Sequence, residues 1–440
     1  MRRFICCVAI LFMAQNVAAQ TLPRPLSNAD FLPVDRAEAT LGQLLFYDPI
    51  LSGNREVACA TCHHPRFGTG DGLSLSLGDG GAGLGPARQV DTENLPEQRV
   101  PRNAQPLFNL GFIGYTALFH DGRIEVDVIR PGGLRTPLDE EMTSGFASAV
   151  SAQTMFPVLS PDEMAGHYSE NEIAQAVRLG RLTGQRGAWD LIARRVAALP
   201  AYVAQFEAID PAIQGPDDIR FTDISDAIAA FMEMEWRSDT APFDAVLRGD
   251  AQFDPAAQAG ANLFYGDAGC ATCHSGPLLS DFGFHAMGQP QLGPGKGARF
   301  ETTARDDGRF RVTGDPADMY AFRTPSLRNV ALSGPWGHAG AYADLAVFVA
   351  AHADPVAALA AYDRSQVVLP PMDVVDWRIM DDPAEVAAIA AAVSTPPVVL
   401  TDDDVAAIIA FLNTLTDPVA IEGRLGVPET VPSGLAVAQP

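Results

Sequence analysis

Basic residues are scarce in this 440-residue chain: Lys and Arg number 30 against 54 Asp and Glu, for a formal charge of −24. A polyanion of that size excludes binding to nucleic acid or to anionic membranes through general electrostatics. A basic protein partner or a small uncharged substrate fits better. Apolar runs of membrane length are missing beyond the N-terminus, and strand-like alternation is rare. Charged residues make up only 19% and hydrophobic ones 47%, which excludes a disordered chain, a collagen and a coiled coil. Six cysteines and eight histidines are few enough to be accounted for singly.

The N-terminus accounts for two of the cysteines. Arg2 and Arg3 precede an apolar run from Phe4 to Met13, and Val17 and Ala19 suit a signal-peptidase site. Residues 1–19 therefore read as a secretory signal cleaved near Ala19, which predicts a periplasmic protein. An anchor that stays attached is the alternative. Cys6 and Cys7 leave with the signal.

The other four cysteines form Cys59-Ala-Thr-Cys62-His63 and Cys270-Ala-Thr-Cys273-His274. Each is C-x-x-C-H, the attachment pattern for c-type haem. Two thiols one turn apart add to the two vinyl groups of a porphyrin, and the following histidine reaches the iron. Disulfides or a structural zinc would leave a histidine idle in both copies, and a thioredoxin-like motif needs no second copy. Two covalently bound haem c groups are expected.

The approaches to the motifs also match. Leu41-Gly-Gln-Leu-Leu-Phe-Tyr-Asp48 precedes the first, and Ala259-Gly-Ala-Asn-Leu-Phe-Tyr-Gly266 the second. The chain thus reads as mainly α, with two cytochrome c-like haem domains joined in one chain by long loops. Residues 20–215 form the expected N-terminal domain, 216–427 the C-terminal one and 428–440 a mobile tail. Helices are expected near 169–182, 189–206, 222–236 and 383–393. Another should start at Thr401, where a capping threonine and three acids precede an apolar face of Val405, Ile408, Ile409, Leu412 and Leu415.

These motifs carry a wider resemblance. Together with Arg102-Asn-Ala, Phe119-His-Asp-Gly-Arg123, Phe322-Arg-Thr-Pro-Ser-Leu-Arg-Asn329 and Gly334-Pro-Trp-Gly-His-Ala-Gly340, the chain resembles the bacterial di-haem cytochrome c peroxidases. Ala152-Gln-Thr-Met-Phe-Pro-Val158, followed by Asp162-Glu-Met164, is most similar to a MauG-like, MbnH-like branch. The resemblance implies a peroxidatic haem in the first domain and an electron-transfer haem in the second. It implies hydrogen peroxide as substrate. The electrons come from a small cytochrome or copper protein, or from an aromatic side chain of a protein substrate.

The resemblance also implies ligands. Relatives that reduce peroxide carry a displaceable histidine in a Ser-x-Gly-His segment. Here that stretch is Ser76-Leu-Gly-Asp79, so the first haem is expected to stay open. The second haem's distal ligand maps to His352, with Met287 and Met319 as rivals. His338 and His285 are expected near the second haem or between domains, His120 at the first haem, and His64 at the surface or behind the proximal His63. For catalysis at peroxide the candidates are Glu125, then Asp127, with His120 beside them. A calcium ion between the domains, where present, would be held by Asn103, Ser333 and Pro335. No tryptophan falls where the family has one between the haems, which leaves the inter-haem electron route open. The runner-up reading is a di-haem electron-transfer cytochrome without peroxidase activity.

Overall fold

The computed structural model describes residues 22–439 apart from 143, 169 and 298–300; the expected signal segment lies outside the described residues. The helices are α1 (Arg36–Tyr47), α2 (Cys59–Cys62), α3 (Ala149–Thr154), α4 (Glu172–Arg178), α5 (Ala188–Ala197), α6 (Pro200–Ile209), α7 (Phe221–Glu235) and α8 (Pro242–Arg248). They continue with α9 (Pro255–Phe264), α10 (Phe310–Thr313), α11 (Leu345–Ala353), α12 (Pro355–Ala360), α13 (Pro383–Ala392), α14 (Asp402–Asn413) and α15 (Pro418–Glu422). Strands are short: β1 (Gly81–Ala82), β2 (Gln89–Val90), β3 (Ala117–Leu118), β4 (Ile124–Val126), β5 (Leu134–Arg135), β6 (Phe284–His285) and β7 (Phe322–Arg323). They pair antiparallel as β1-β2, β3-β4-β5 and β6-β7.

The duplication seen in sequence is built as two crossed helix pairs. In the first, α1 lies on α7, and a Cβ added at Gly42 would meet the Ala227 carbonyl oxygen at 1.8 Å and Phe231 Cβ at 2.9 Å. In the second, α9 lies on α14, and a Cβ at Gly260 would meet the Ala407 oxygen at 1.9 Å and Phe411 Cβ at 2.9 Å. Only glycine permits so close an approach of two helix backbones. The phenylalanine four residues further along each leading helix then meets its counterpart: Phe46 and Phe231 ring centroids are 5.2 Å apart, and Phe264 and Phe411 are 5.0 Å apart. Asp35 caps α1 by accepting from the Ala37 and Glu38 amides, and Asp254 and Thr401 cap α9 and α14. The two leading helices thus reach their haem motifs from a fixed direction.

Three expectations change. First, α7 lies beyond the expected boundary at residue 215, yet it packs in the first core, which runs through Trp236; the second core begins at Phe243. The pairing of α7 with α1 joins segments far apart in sequence. Second, the stretch 189–206 is two helices, because Pro200 lacks an amide hydrogen and starts a new helix after Leu199. Third, the tail is packed rather than loose. Val431 is buried in the first core, Leu435 and Val437 lie against it, and Ser433 Oγ donates to Asp48 at 2.6 Å.

Ion pairs join the two halves. Arg102 binds Asp306 at 2.6 Å and Asp121 at 2.8 Å, and Arg309 binds Glu125 at 2.8 Å. Among the described residues no helix is long and apolar enough to cross a membrane.

Candidate functional site

The first motif is a single helical turn, α2, with its two thiols one turn apart. His63 closes it, its amide donating to the Cys59 carbonyl at 3.0 Å. The His63 Nδ1 donates to the Thr69 carbonyl at 3.0 Å. The second motif repeats the device in a tighter turn: the His274 amide donates to Cys270 at 2.9 Å, and Nδ1 donates to the Leu279 carbonyl at 3.0 Å. His352 on α11 has a third version, Nδ1 donating to the Phe348 carbonyl at 2.8 Å. In each imidazole the hydrogen is thereby fixed on Nδ1, and Nε2 keeps its lone pair. That is how a metal-ligating histidine is usually oriented.

The thiols are unpaired and half-buried. Burial pushes Cys59 and Cys62 up to about 12 and Cys270 to about 11. These are not the low-pKa thiols of a redox C-x-x-C pair. Burial also pulls His274 down to about 4, and the next cause is the nearby His352. The two imidazoles are thus near enough for the charge of one to act on the other, and burial lowers both. This donor set fits two covalently held haems. The rival methionines are otherwise engaged: the Met287 sulfur accepts from Thr395 Oγ1 at 3.4 Å, and Met319 packs against the cluster of Ala304, Tyr320 and Ile389.

Around the first motif, the Ser76–Asp79 stretch offers no imidazole. Asp79 is fully buried and accepts from Asn54 and Asn94. His64 is 2% exposed, so it is not the surface residue that was one of its two expected placements; its Nδ1 accepts from the Arg66 amide. The His120 Nε2 bonds the Asn103 carbonyl at 3.1 Å, and burial, with Arg102 nearby, holds it down to about 3. It is thus held neutral, tied to Asn103. Asn103 also donates its amide to the His338 carbonyl at 2.9 Å, which brings it to the loop carrying Ser333 and Pro335. His338 is stacked on Phe322 at 3.8 Å between the halves, and neither of its ring nitrogens has a protein partner. His285 pairs with Asp281 at 2.9 Å, whose amide in turn donates to the Cys273 carbonyl.

Glu125 and Asp127 sit on or beside β4 in ion pairs, Glu125 with Arg309 and Asp127 with Arg130 and Arg135. Two further acids, Asp71 and Glu163, act on the Cys62 thiol of the first motif. Glu163 is held in a five-residue π turn, Pro161–Ala165, a form often found at functional sites. Its backbone carbonyl accepts from the Asp79 amide at 3.0 Å, and its chain packs so closely on Gly78 that a Cβ there would lie 2.6 Å from Glu163 Cα. The carboxyl is near enough to Cys62 for its charge to act on that thiol. Burial raises its pKa, while Lys296 and Arg123 oppose the rise. In sequence, Glu163 was visible only as part of a family motif. Its closeness to the first haem motif arises from a contact between distant loops.

Two crossed-helix units, each presenting a C-x-x-C-H turn with an anchored histidine, define a c-type cytochrome with two haems. Residues 36–252 match the family model described as di-haem cytochrome c peroxidase. The chain is 30% identical to the methylamine utilization protein MauG of Methylorubrum extorquens, over 73% of this chain and 69% of that protein. It is 29% identical to the cytochrome c551 peroxidase of Nitrosomonas europaea, over 76% of this chain and 78% of that one. A solved MauG-like protein associated with microbial copper homeostasis superposes with a TM-score of 0.57 at 26% identity, covering 92% of this chain and 96% of that one. The chain belongs to the di-haem cytochrome c peroxidase family, in its MauG-like branch. It is therefore an oxidoreductase of the peroxidase class with two covalently attached haem c groups.

Proposed function

We propose that this protein is a periplasmic peroxidase that reduces hydrogen peroxide at the haem held by Cys59, Cys62 and His63. The haem held by Cys270, Cys273 and His274, with His352 as its second ligand, handles the electrons. These come from a small cytochrome or copper protein, or from an oxidisable side chain of a partner protein. The observation that carries the reading is the asymmetry between the two histidine sites. His274 has a second anchored imidazole beside it, whereas the Ser76–Asp79 stretch offers none and Asp79 is fully engaged. A haem held by Cys59, Cys62 and His63 would supply the iron that takes up peroxide, and one held by Cys270, Cys273, His274 and His352 would supply the electron relay.

The chain's own residues supply the rest. Reducing one peroxide to two waters consumes two electrons and two protons, and the O–O bond breaks once the far oxygen is protonated. Glu163 moves that proton, taking it from the near oxygen and giving it to the far one. Its burial keeps the carboxyl protonated over more of the pH range than an exposed glutamate, and Lys296 and Arg123 keep the ionised form accessible. Glu125 and Asp127 brace the β4 hairpin instead. Thr69 and Leu279 fix the two proximal imidazoles. Asn103 and the carbonyls of Ser333 and Pro335 would hold a calcium ion, offering the oxygen donors that such a hard cation takes.

Electron paramagnetic resonance of the oxidised holoprotein tests this reading. One high-spin and one low-spin haem are expected, with the low-spin signal lost in His352→Ala, together with rapid consumption of peroxide. Two low-spin signals and no reaction with peroxide would instead identify an electron carrier.

A further inference from the structure

A contiguous run of aromatic rings leads away from His352. Its ring meets Phe348 at a centroid distance of 4.6 Å, Phe348 meets Tyr342 at 5.1 Å, Tyr342 meets Tyr362 at 5.4 Å, and Tyr362 meets Trp377 at 6.2 Å. Every step is an ordinary ring–ring contact. The run begins buried, with Tyr342 4% exposed, and ends at half-buried Trp377, whose outer face is covered by the Arg364 guanidinium at 4.8 Å. Arg364 is 43% exposed and is ion-paired with Asp381 at 2.7 Å, so its positive charge on the indole is partly offset. The other tryptophans are placed differently. Trp189 and Trp236 are enclosed in the first core, and Trp336 donates its Nε1 hydrogen to the Val330 carbonyl.

We propose that this run is an electron path, with Trp377 the port at which electrons enter from a partner and His352 the end that delivers them to the second haem. The inference rests on the reading of that haem as the one that handles electrons.

Chemistry assigns the roles along the path. Tyrosine loses an electron readily only if its proton leaves too, and the Tyr362 hydroxyl donates to the Ala341 carbonyl, which is too weak a base to take the proton. The tyrosines and Phe348 therefore act as conjugated bridges and keep their hydrogens. Indole can give up an electron first and its Nε1 proton afterwards, and Trp377 is only half-buried, unlike Tyr342. Each peroxide reduced to two waters draws two electrons inward through Trp377. With a donor present, the donor is oxidised and the indole is restored. With none present, the indole itself is consumed: tryptophan plus water gives hydroxytryptophan, two electrons and two protons, which match the demand of one peroxide.

The test is to treat the holoprotein with peroxide in the absence of a donor and map oxidation by peptide mass spectrometry. Added oxygen is expected at Trp377. In Trp377→Phe that product disappears, and the peroxide-oxidised state, followed optically, persists several-fold longer, while the initial reaction with peroxide keeps its wild-type rate. Tyr362→Leu, which interrupts the run but leaves the indole, should spare Trp377 from oxidation. Oxidation confined to residues outside the run would overturn the proposal. So would a Trp377→Phe protein whose oxidised state decays at the wild-type rate. A wild-type protein inert to peroxide would instead bring down the functional reading, and the path with it.

Discussion

Replacing Gly42 with alanine tests the helix crossing on which the first haem unit depends. In an isolated helix the change would be favourable, since glycine is about 1 kcal/mol worse than alanine in a helix interior. In the folded protein the new Cβ would lie 1.8 Å from the Ala227 oxygen, 2.5 Å from the Ala227 carbonyl carbon and 2.9 Å from Phe231 Cβ. None of these atoms belongs to a flexible side-chain end, so α1 and α7 must move apart by well over an ångström. That motion also loosens the contact between Phe46 and Phe231. Forcing an extra carbon into a packed site costs about 1–3 kcal/mol and sometimes more. With the helix gain subtracted, and with rigid backbone as the obstacle, a net loss of up to about 2 kcal/mol is expected, or a fall in Tm of up to about 4–8 °C for a unit of this size. Gly260→Ala should do the same to the second unit, where the distances are nearly identical. Calorimetry combined with haem absorbance separates the two melts. An unchanged or raised Tm for Gly42→Ala, as helix propensity alone would give, would refute the reasoning.

Glu163→Gln should slow the first reaction with peroxide by about 10²–10⁴-fold, the usual worth of a positioned acid–base group, when followed by stopped-flow absorbance. Glu125→Gln should change that rate little, because its partner is Arg309; the reverse ranking would return the role to Glu125. Glu233 on α7 is buried, with Ser148 donating to it at 2.6 Å, and burial raises its carboxyl from 4.5 to about 7. The folded protein thus keeps a proton that the unfolded chain releases from pH 4.5 upward. Stability from this group is full below pH 4.5, declines up to pH 7 and levels above it, a loss of about 3 kcal/mol in all. Glu233→Gln should remove that decline, so urea midpoints of variant and wild type should diverge at pH 8 and converge at pH 4; parallel profiles would contradict it.

The parts legible in the sequence were those whose physics is local. The haem turns need two thiols and a histidine within five residues, and the structure keeps them there. The threonine at 401 and the acids behind it start α14 where expected. The match between the two Leu-Phe-Tyr helices was visible, but not what they cross. That signal lay in Ala227 and Phe231, and again in Ala407 and Phe411, four residues apart on helices far down the chain. It would have moved the boundary past α7. Glu163 was hidden for a related reason: its environment is made by a loop some eighty residues earlier folding against a π turn. The tail misled because proline and small residues suggest a loose end, while Val431, Leu435 and Val437 are too widely spaced to form a helical stripe.

That tail has a consequence for biosynthesis. Asp48, immediately after α1, receives hydrogen bonds from Tyr202 and from Ser433, and the Ala438 backbone reaches His64, the neighbour of the first proximal histidine. The opening unit is therefore sealed by a segment 385 positions further along the chain. As the chain is synthesised, the first pigment site waits, incompletely walled, until residues 433–438 emerge. The haem-attaching machinery has that interval in which to reach Cys59 and Cys62.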